Sequence, residues 1–374
     1  MLRYLTGGES HGKCLLAILD GMPAGLKVDP ALINEELRRR MAGYGRGKRM
    51  KIESDRVRTL SGLRKSRTIG SPIAMMIENA DHSIDSLPAV LEPRPGHADL
   101  SGVLKYNLGD VRDVLERASA RETAARVSVG AVCRMLLAEF AVKITSHIIA
   151  IGSVESKVKG LAFDEIVMIS KRSPVRCYDV KASKLMCREI DKAMKNGDTV
   201  GGAFEVIVTG LPPGLGSFTQ WDRRIDANLA KALMSIQAVK GVSFGAGFSI
   251  AKERGSSLHD EIFYNKSKGF FRKTNNAGGI EGGMTNGEDV IIQAVMKPIS
   301  TLKRPLASVN IRTKSPIKAA VERSDVCAVP AAGVVGEAVV TVEIANAMIE
   351  KFGGDSVGEM RRNYLGYIEQ IRRF

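Results

Sequence analysis

Two histidines lie in short glycine-containing segments of the kind that present a side chain to a ligand. His97 lies in residues 94–99 (Arg-Pro-Gly-His-Ala-Asp), and His11 lies in residues 7–12 (Gly-Gly-Glu-Ser-His-Gly). Glycine permits sharp turns and a close approach of the backbone to a ligand. Imidazole exchanges a proton near neutral pH. The two segments predict proton transfer, although a single histidine more often has a structural role.

Arginines accompany both histidines along the chain. Residues 116–126 read Glu-Arg-Ala-Ser-Ala-Arg-Glu-Thr-Ala-Ala-Arg, and residues 38–49 combine arginines with glycines. Guanidinium groups carry fixed charge and forked donors that suit phosphate and carboxylate groups. These segments predict a site for an anionic substrate that needs a proton moved. Two structural explanations of these charges stay open. Residues 116–122 could form a lattice of salt bridges on the protein surface, and the basic residues at 38–49 could stabilise the dipole at a helix end.

A third segment, residues 275–283, is a glycine-rich loop followed by Lys-Pro-Ile-Ser-Thr at 297–301. Glycine here would allow a flat or anionic ligand to lie against the backbone. The loop has no Gly-x-Gly-x-x-Gly fingerprint, so the sequence does not support a Rossmann dinucleotide site. The pattern favours either a ligand cradle or a flexible loop.

Composition limits the classes of function. The 374 residues are 44% hydrophobic and 26% charged, typical of a soluble protein, and we expect a cytoplasmic enzyme without a membrane span. The net charge of +14 could suit nucleic acid, but aromatic content of 5% with one Trp favours small anionic ligands. The five cysteines contain no Cys-x-x-Cys pair, and the five histidines lack metal-binding spacing, so we expect no disulfide framework and no metal. Cys133 and Cys327 lie in apolar runs and should be buried thiols.

The sequence around these groups shows helical periodicity and internal repeats. Apolar residues from Val111 to Leu136 recur at helical spacings, which predicts one long helix with Arg117 and Arg121 on a shared face. Residues 21–26, a helical stretch at 30–41, a strand that opens after Gly70 (70–77) and residues 116–117 recur in the same order. Their counterparts are 210–215, a helical stretch at 222–238, a strand that opens after Gly287 (287–294) and 322–323. We predict an ancient duplication, with pseudo-repeats of roughly 1–190 and 191–374 about a twofold axis. The site should draw on both halves of a single domain, 1–374.

Together these segments resemble the chorismate synthase family over nearly the whole chain. The motifs that carry the resemblance are Gly-Glu-Ser-His-Gly (8–12), Arg-Pro-Gly-His-Ala-Asp (94–99), Ser-Ala-Arg-Glu-Thr-Ala (119–124), Gln-Ala-Val-Lys-Gly (237–241), Asn-Asn-Ala-Gly-Gly-Ile (275–280) and Arg-Ser-Asp-Val-Cys-Ala-Val-Pro (323–330). The resemblance implies an α/β (α+β) sandwich in which helices lie between two antiparallel sheets, assembled as a homotetramer.

The resemblance also implies a reaction. The family is a carbon–oxygen lyase acting on phosphates, at the last common step of the shikimate pathway to aromatic amino acids. It removes phosphate and a C6 proton from 5-enolpyruvylshikimate-3-phosphate (EPSP) by anti-1,4-elimination, giving chorismate. It requires reduced FMN without net redox change. NADPH could serve as an indirect reductant, and the sequence leaves open whether this chain reduces its own FMN.

Roles for individual residues follow from the same resemblance. His11 would be the general acid for the departing phosphate, His97 would protonate or balance the reduced flavin, and Asp325 would assist proton handling. The substrate's carboxylates and phosphate would be bound by Arg40, Arg46, Arg94, Arg121 and Arg323. Arg40 and Arg46 also match positions linked to NADP. FMN would be contacted by Arg117, Ala118, Ser119, Gln237, Ala238, Gly282, Lys297, Pro298, Ile299, Ser300, Thr301 and Arg323.

Two alternatives outside this family are a flavin-independent enzyme acting on a phosphorylated metabolite and a basic RNA-binding protein. The chain departs from many relatives at Glu322, where they carry glycine, and in the middle of 297–301. Neither departure alters a residue with a proposed chemical role. Gly282 lies in a run of glycines, so the match between this run and the family motif can shift along the sequence.

Overall fold

Two antiparallel sheets with helices between them form this chain, for which a computed structural model describes residues 1–47, 53–157, 162–267 and 269–374. Lys48 and Arg49, at the end of the basic segment 38–49, lie outside the described residues. The helices are α1 (Pro30–Met41), α2 (Asp99–Tyr106), α3 (Val111–Ala118), α4 (Thr123–Ala138), α5 (Phe163–Arg172), α6 (Val180–Lys195), α7 (Ile225–Met234), α8 (Gly255–Leu258), α9 (Val329–Phe352) and α10 (Val357–Arg373).

The strands form the two main sheets and several short hairpins. They are β1 (Arg3–Gly7), β2 (Cys14–Asp20), β3 (Val57–Thr59), β4 (Leu63–Arg64), β5 (Arg67–Thr68), β6 (Ile73–Glu78), β7 (Lys143–Ile151), β8 (Val154–Glu155), β9 (Gly202–Thr209), β10 (Val239–Phe244), β11 (Ile262–Asn265), β12 (Gly269–Arg272), β13 (Ile280–Glu281), β14 (Met284–Thr285), β15 (Val290–Met296), β16 (Ala307–Val309) and β17 (Pro316–Lys318).

The first sheet has the order β1-β2-β6-β3, with antiparallel neighbours. Side chains alternate along β2, because successive residues of a strand point to opposite faces. Leu15 and Leu19 are buried on the helix side, whereas Leu16 and Ile18 are exposed on the outer face. The second sheet has the order β10-β15-β9-β7-β8, also antiparallel. The predicted sandwich of helices between antiparallel sheets is confirmed.

Helices α4 and α9 cross closely at the centre of the sandwich, with α4 packed on the first sheet and α9 on the second. A Cβ atom on Gly130 would lie 2.5 Å from Cβ of Ala338, so the close approach of the two helices requires glycine at this position. By length and composition alone, α9 could cross a membrane. However, 83% of its apolar window is buried, as in the core helix of a soluble protein.

The predicted long helix at 111–136 is wrong, because the structure interrupts it at Ser119. Helix α3 ends at Ala118, a 3₁₀ turn covers Ala120–Glu122, and α4 starts at Thr123. The backbone of Ser119 is extended, and its hydroxyl accepts a hydrogen bond from the Arg121 N–H. Serine favours such a cap because its short side chain reaches the free N–H groups of the next turn. The break turns Arg117 and Arg121 in different directions.

The predicted duplication has a counterpart in the order of the elements. Each sheet contains a strand that leads through a glycine turn into a helix: β2 into α1, and β9 into α7. The glycines of the two turns, Gly21 and Gly210, both have positive φ. The strands predicted after Gly70 and Gly287 are β6 and β15, which pair with β2 and β9. Because β7 already belongs to the second sheet, this matching favours a boundary between the pseudo-repeats before β7 rather than near residue 190. The duplication itself stays a prediction.

The cysteines behave as isolated thiols. All five are unpaired, and Cys133 and Cys327 are fully buried, as the sequence predicted. Burial raises the pKa of each of these two thiols to about 12 and that of Cys177 to about 11. A thiol is reactive as the thiolate, so these three are inert near neutral pH.

Candidate active site

The loop that carries His11 connects β1 to β2 and is fixed to α3. A Cβ atom on Gly8 would lie 2.1 Å from the Cys14 carbonyl oxygen, so the loop needs glycine there. The imidazole Nδ1 of His11 lies 2.9 Å from both carboxylate oxygens of Glu116, and the His11 backbone N–H donates to one of them at 2.8 Å. Burial acts to raise the pKa of Glu116, but these hydrogen bonds outweigh it and hold that pKa below its ordinary value.

The other ring nitrogen of His11 faces Asp81. Nε2 of His11 lies 4.0 Å from Oδ2 of Asp81, and the same oxygen lies 3.4 Å from the Arg323 guanidinium. Arg323 has 66% of its side chain exposed, whereas His11 has 15%. His11 is thus largely buried, whereas the Arg323 guanidinium on the other side of Asp81 is exposed to solvent.

His97 is held by an acidic partner within its own turn. Gly96 has a φ of +77°, which forms the turn, and Nδ1 of His97 lies 2.5 Å from Oδ1 of Asp99. The Arg94 guanidinium donates to both oxygens of Asp99, at 2.8 and 3.0 Å. Burial acts to raise the pKa of Asp99, but hydrogen bonds from His97 and Arg94 hold it well below its usual range. Asp99 is therefore an ionised carboxylate that orients both the His97 ring and the Arg94 guanidinium.

The segment 297–301 lies against the His97 turn. Nη1 of Arg94 donates to the Thr301 hydroxyl at 2.8 Å. Nζ of Lys297 and the Ser300 hydroxyl both donate to the Gly96 carbonyl, at 2.8 Å each. Burial, and then the nearby charge of Lys240, lower the pKa of Lys297. An anion bound near Lys297 would offset this repulsion.

Three further arginines form a cluster in which Arg40 and Arg121 pair with the buried carboxylate of Asp55. Nη1 of Arg121 donates to Asp55 at 2.6 Å, and Nη1 of Arg40 lies 3.5 Å from the other oxygen of Asp55. Burial lowers the pKa of Arg40 to about 10, with Asp55 opposing this shift and Arg46 adding to it. Arg46 itself donates to Asp325 at 2.6 Å. With Glu53, which lies 3.6 Å from Arg121, the three arginines face three carboxylates, and both Arg40 and Arg121 are buried.

Three consecutive residues connect these groups. Arg323 contacts Asp81 beside His11, and the Ser324 hydroxyl donates to the Thr301 carbonyl at 3.0 Å. Asp325 accepts hydrogen bonds from Arg46 and, at 2.6 Å, from the Gly47 N–H. The tripeptide therefore brings the His11 loop, the His97 turn and the arginine cluster into one site.

The predicted flavin-contact residues divide between two places. Arg117 donates to the Gly8 and Thr6 carbonyls at 2.9 Å, so Arg117 lies against the His11 loop, and Ala118 and Ser119 follow it in the chain. Gln237 donates to Glu122 at 3.3 Å, and the Ala238 carbonyl accepts from the Lys297 N–H at 2.9 Å. These contacts place 237–238 beside 297. Gly282 lies at the tip of the β13–β14 hairpin, where a Cβ would face open space, and its contacts do not link it to these groups.

The surface lattice proposed for residues 116–122 does not form. Glu116, Arg121 and Glu122 are buried and pair with other segments: Glu116 with His11, and Arg121 with Asp55. Glu122 pairs with Arg126 and accepts from the Thr6 hydroxyl. The buried charges therefore belong to the site.

Sequence reasoning missed the carboxylates that hold the site together. Asp99 gave a usable signal, because it follows His97 by two residues in a quoted motif. Glu116 also lay in a noted segment, but no role was given to it. Asp55 and Asp81 lie in segments without any motif, and only the tertiary contacts reveal them.

Comparisons with known proteins agree with this geometry. Residues 2–349 match the family model described as chorismate synthase. The chain is 54% identical to "Chorismate synthase" of Geobacter sulfurreducens, with both chains covered completely, and 54% identical to that of Desulforudis audaxviator, covering 98% of the relative. A solved structure titled "Crystal Structure of Chorismate Synthase" superposes with a TM-score of 0.82 at 42% identity, covering 100% of this chain and 99% of that one. This chain belongs to the chorismate synthase family.

Proposed function

We propose that this chain removes phosphate and a C6 proton from EPSP by anti-1,4-elimination to give chorismate, with reduced FMN as its cofactor. The family membership supports the reaction. One structural observation supports its location: the 323–325 tripeptide contacts the His11 region, the His97 region and the arginine cluster. This proximity supports the assignment of a proton donor, an anion site and a second imidazole to the same reaction centre.

The arginine cluster suits the charges of EPSP. Nη1 of Arg40 and Nη2 of Arg121 are buried and, among the described residues, make no hydrogen bond beyond longer ion pairs. Buried donors without close partners are costly unless a ligand completes them. We assign the carboxylates and phosphate of EPSP to Arg40, Arg46, Arg94, Arg121 and Arg323. Positive charge fixed around the phosphate stabilises it as negative charge develops on the leaving group.

His11 and Asp325 are assigned the proton steps. His11 is the general acid that protonates the departing phosphate, which is consistent with its small exposed fraction beside Arg323. Asp325 assists removal of the C6 proton, and its position is fixed by Arg46 and the Gly47 N–H. His97 is held by Asp99 and balances charge at the cofactor.

The residues near Gln237 fit a flavin. Oε1 of Gln237 is buried and has no hydrogen-bond partner among the described residues, so it can accept from a ring N–H. Lys297 and Lys240 offer positive charge for a phosphate. We assign FMN to Arg117–Ser119, Gln237, Ala238, Gly282, 297–301 and Arg323, with His97 beside them. When bound there, reduced FMN would supply electron density for the loss of phosphate without net redox change.

Assembly, reductant and location complete the proposal. Leu5, Leu16 and Ile18 expose 74%, 40% and 47% of their surface on the outer face of the first sheet, which favours burial against other copies in a homotetramer. Sedimentation analysis tests this. NADPH serves as an indirect reductant, with Arg40 and Arg46 as the positions linked to NADP. We place the enzyme in the cytoplasm, where EPSP would be made.

Purified protein mixed with EPSP and reduced FMN, without oxygen, should form chorismate. His11→Ala and His97→Ala should each lower turnover strongly while FMN binding is mostly kept. His259→Ala is the matched control, because His259 is exposed on α8's C-terminal side. No product from the wild-type protein would refute the function. Wild-type rates in both variants would refute the two histidine roles alone.

A further inference from the structure

We propose that Glu116 is a positioning residue that fixes the orientation and proton arrangement of His11, so that the transferred proton leaves from Nε2. This inference rests on the proposed function, in which His11 protonates the departing phosphate. The geometry assigns Glu116 a part in the proton transfer itself.

The loop that carries His11 contacts α3 through several hydrogen bonds to one residue, Glu116. The Glu116 carboxylate accepts from the His11 backbone N–H at 2.8 Å and lies 2.9 Å from Nδ1 of the same residue. The Glu116 carbonyl accepts from the Ser10 N–H at 3.0 Å. Backbone and ring of His11 are thus held by the same side chain, which restricts rotation of the imidazole. Restricting a reacting group to one geometry contributes to rate by proximity and orientation.

The charge of Glu116 is maintained although its side chain is fully buried. Arg112 lies 3.5 Å from the carboxylate and also donates to Glu322 at 3.1 Å. Burial acts to raise the pKa of Glu116, yet the hydrogen bonds from His11 hold it below the ordinary value. The group is therefore a carboxylate near neutral pH. A buried carboxylate next to an imidazole stabilises the protonated ring, as an acidic partner does in other catalytic arrangements.

The charged groups that face His11 come from several elements. Glu116 on α3 faces Nδ1, and Asp81 faces Nε2 at 4.0 Å. Arg112 stands behind Glu116, and Arg323 lies 3.4 Å from Asp81. Within the loop itself, Glu9 and Lys13 flank the histidine in sequence.

The two ring nitrogens therefore have different roles. With Nδ1–H donated to Glu116, the imidazolium gives its Nε2 proton to a phosphate oxygen as the C–O bond breaks. The bonding electron pair leaves with the phosphate. The ring becomes a neutral imidazole that keeps its proton on Nδ1, and Glu116 stays ionised throughout.

Glu116→Gln tests this role, because glutamine keeps the size of the side chain and removes its charge. The matched control is Glu205→Gln, which removes the same charge from a second buried pair: Glu205 and His147 lie 2.9 Å apart in the second sheet. Wild-type protein is first shown to convert EPSP with reduced FMN, so a failure of the proposed function is recognised before the variants are compared. Then kcat and KM are measured against pH for all three proteins.

We expect Glu116→Gln to lower kcat on the order of 10- to 100-fold while KM for EPSP and FMN affinity stay near wild type. The alkaline limb of the kcat profile should move to lower pH, because the imidazolium loses its stabilising charge. Glu205→Gln should keep the wild-type limb. Unchanged kcat in Glu116→Gln, or a lower kcat without a shifted limb, would overturn the proposal. If Glu116→Gln does not fold, Glu116→Asp takes its place, because aspartate keeps the charge. Its kcat profile should have the same alkaline limb as wild type, and a shifted limb in Glu116→Asp would also overturn the proposal.

Discussion

Nη1 of Arg94 donates a 2.8 Å hydrogen bond to the hydroxyl of Thr301, 207 positions away in the sequence. The same guanidinium is forked onto Asp99, so one arginine connects the His97 turn to the segment that follows β15. Arg94, Asp99 and Thr301 are all buried. The predicted flavin-contact segment 297–301 is thereby fixed relative to His97 before any ligand binds, which lowers the cost of ordering the site on binding.

Thr301→Val should destabilise the protein and weaken flavin binding. Valine fills the space of threonine but cannot accept from Arg94, so a buried guanidinium N–H loses its partner at a cost of about 1–3 kcal/mol. Urea unfolding gives the free energy, and flavin fluorescence gives the affinity. The control is Thr313→Val, in an exposed turn, where stability should stay within about 0.5 kcal/mol of wild type. Equal stability of the two variants would contradict the role of the Arg94–Thr301 bond.

Asp99→Asn should make stability less dependent on acid pH. The pKa of Asp99 is held well below its usual range, so its stabilising contribution is fully present above the ordinary value of about 4 and is lost as pH falls toward the depressed value. The wild-type advantage over Asp99→Asn should therefore be largest at neutral pH and narrow below a pH of about 4. Urea unfolding at several pH values measures it. The difference in stability between wild type and Asp164→Asn, a variant at an exposed ion pair, should not change with pH. A difference that is likewise independent of pH for Asp99→Asn would disprove the assignment.

Local sequence signals predicted the elements that depend on local chemistry. Helix α1 begins at Pro30 and ends at Met41, the predicted limits, because Asp29 caps it and proline suits its first turn. The predicted strands after Gly70 and Gly287 were also found. The helix break was missed because apolar spacing continues past Ser119, while the serine cap acts on the backbone alone.

The partners of the site residues could not be predicted from spacing. His11 and Glu116 are 105 positions apart, and Arg121 and Asp55 are 66 apart. Nothing in a single sequence specifies which carboxylate meets which base once the chain has folded. The resemblance to a family supplied the reacting residues, whereas the carboxylates that hold them emerged only from three-dimensional contacts.

Glu337→Gln should reduce stability strongly. Glu337 is a fully buried carboxylate on α9 that accepts from Arg39 and Arg134, at 2.7 and 2.5 Å, and from Arg176 at 2.9 Å. Removing one member of a buried ionic network leaves unpaired charge and costs about 3–5 kcal/mol. Glu369→Gln, at an exposed pair with Arg373, should change stability by about 0–1 kcal/mol. Comparable urea midpoints for the two variants would show that the network is not needed.

Gly130→Ala and Gly366→Ala should change stability in opposite directions. Both glycines lie inside helices, where alanine is preferred by about 1 kcal/mol. On α10 a Cβ at Gly366 meets nothing within 4 Å, so that preference should appear as increased stability. On α4 a Cβ at Gly130 would lie 2.6 Å from the Ala338 Cα and 2.8 Å from its carbonyl oxygen, which cannot move without separating α4 from α9. Overpacking of this kind costs about 1–3 kcal/mol, which exceeds the gain in helix propensity. Thermal and urea unfolding of the two variants measure these changes in stability. If Gly130→Ala were more stable than wild type, α4 and α9 could separate without loss of stability. Their close crossing would then not hold the two sheets in place.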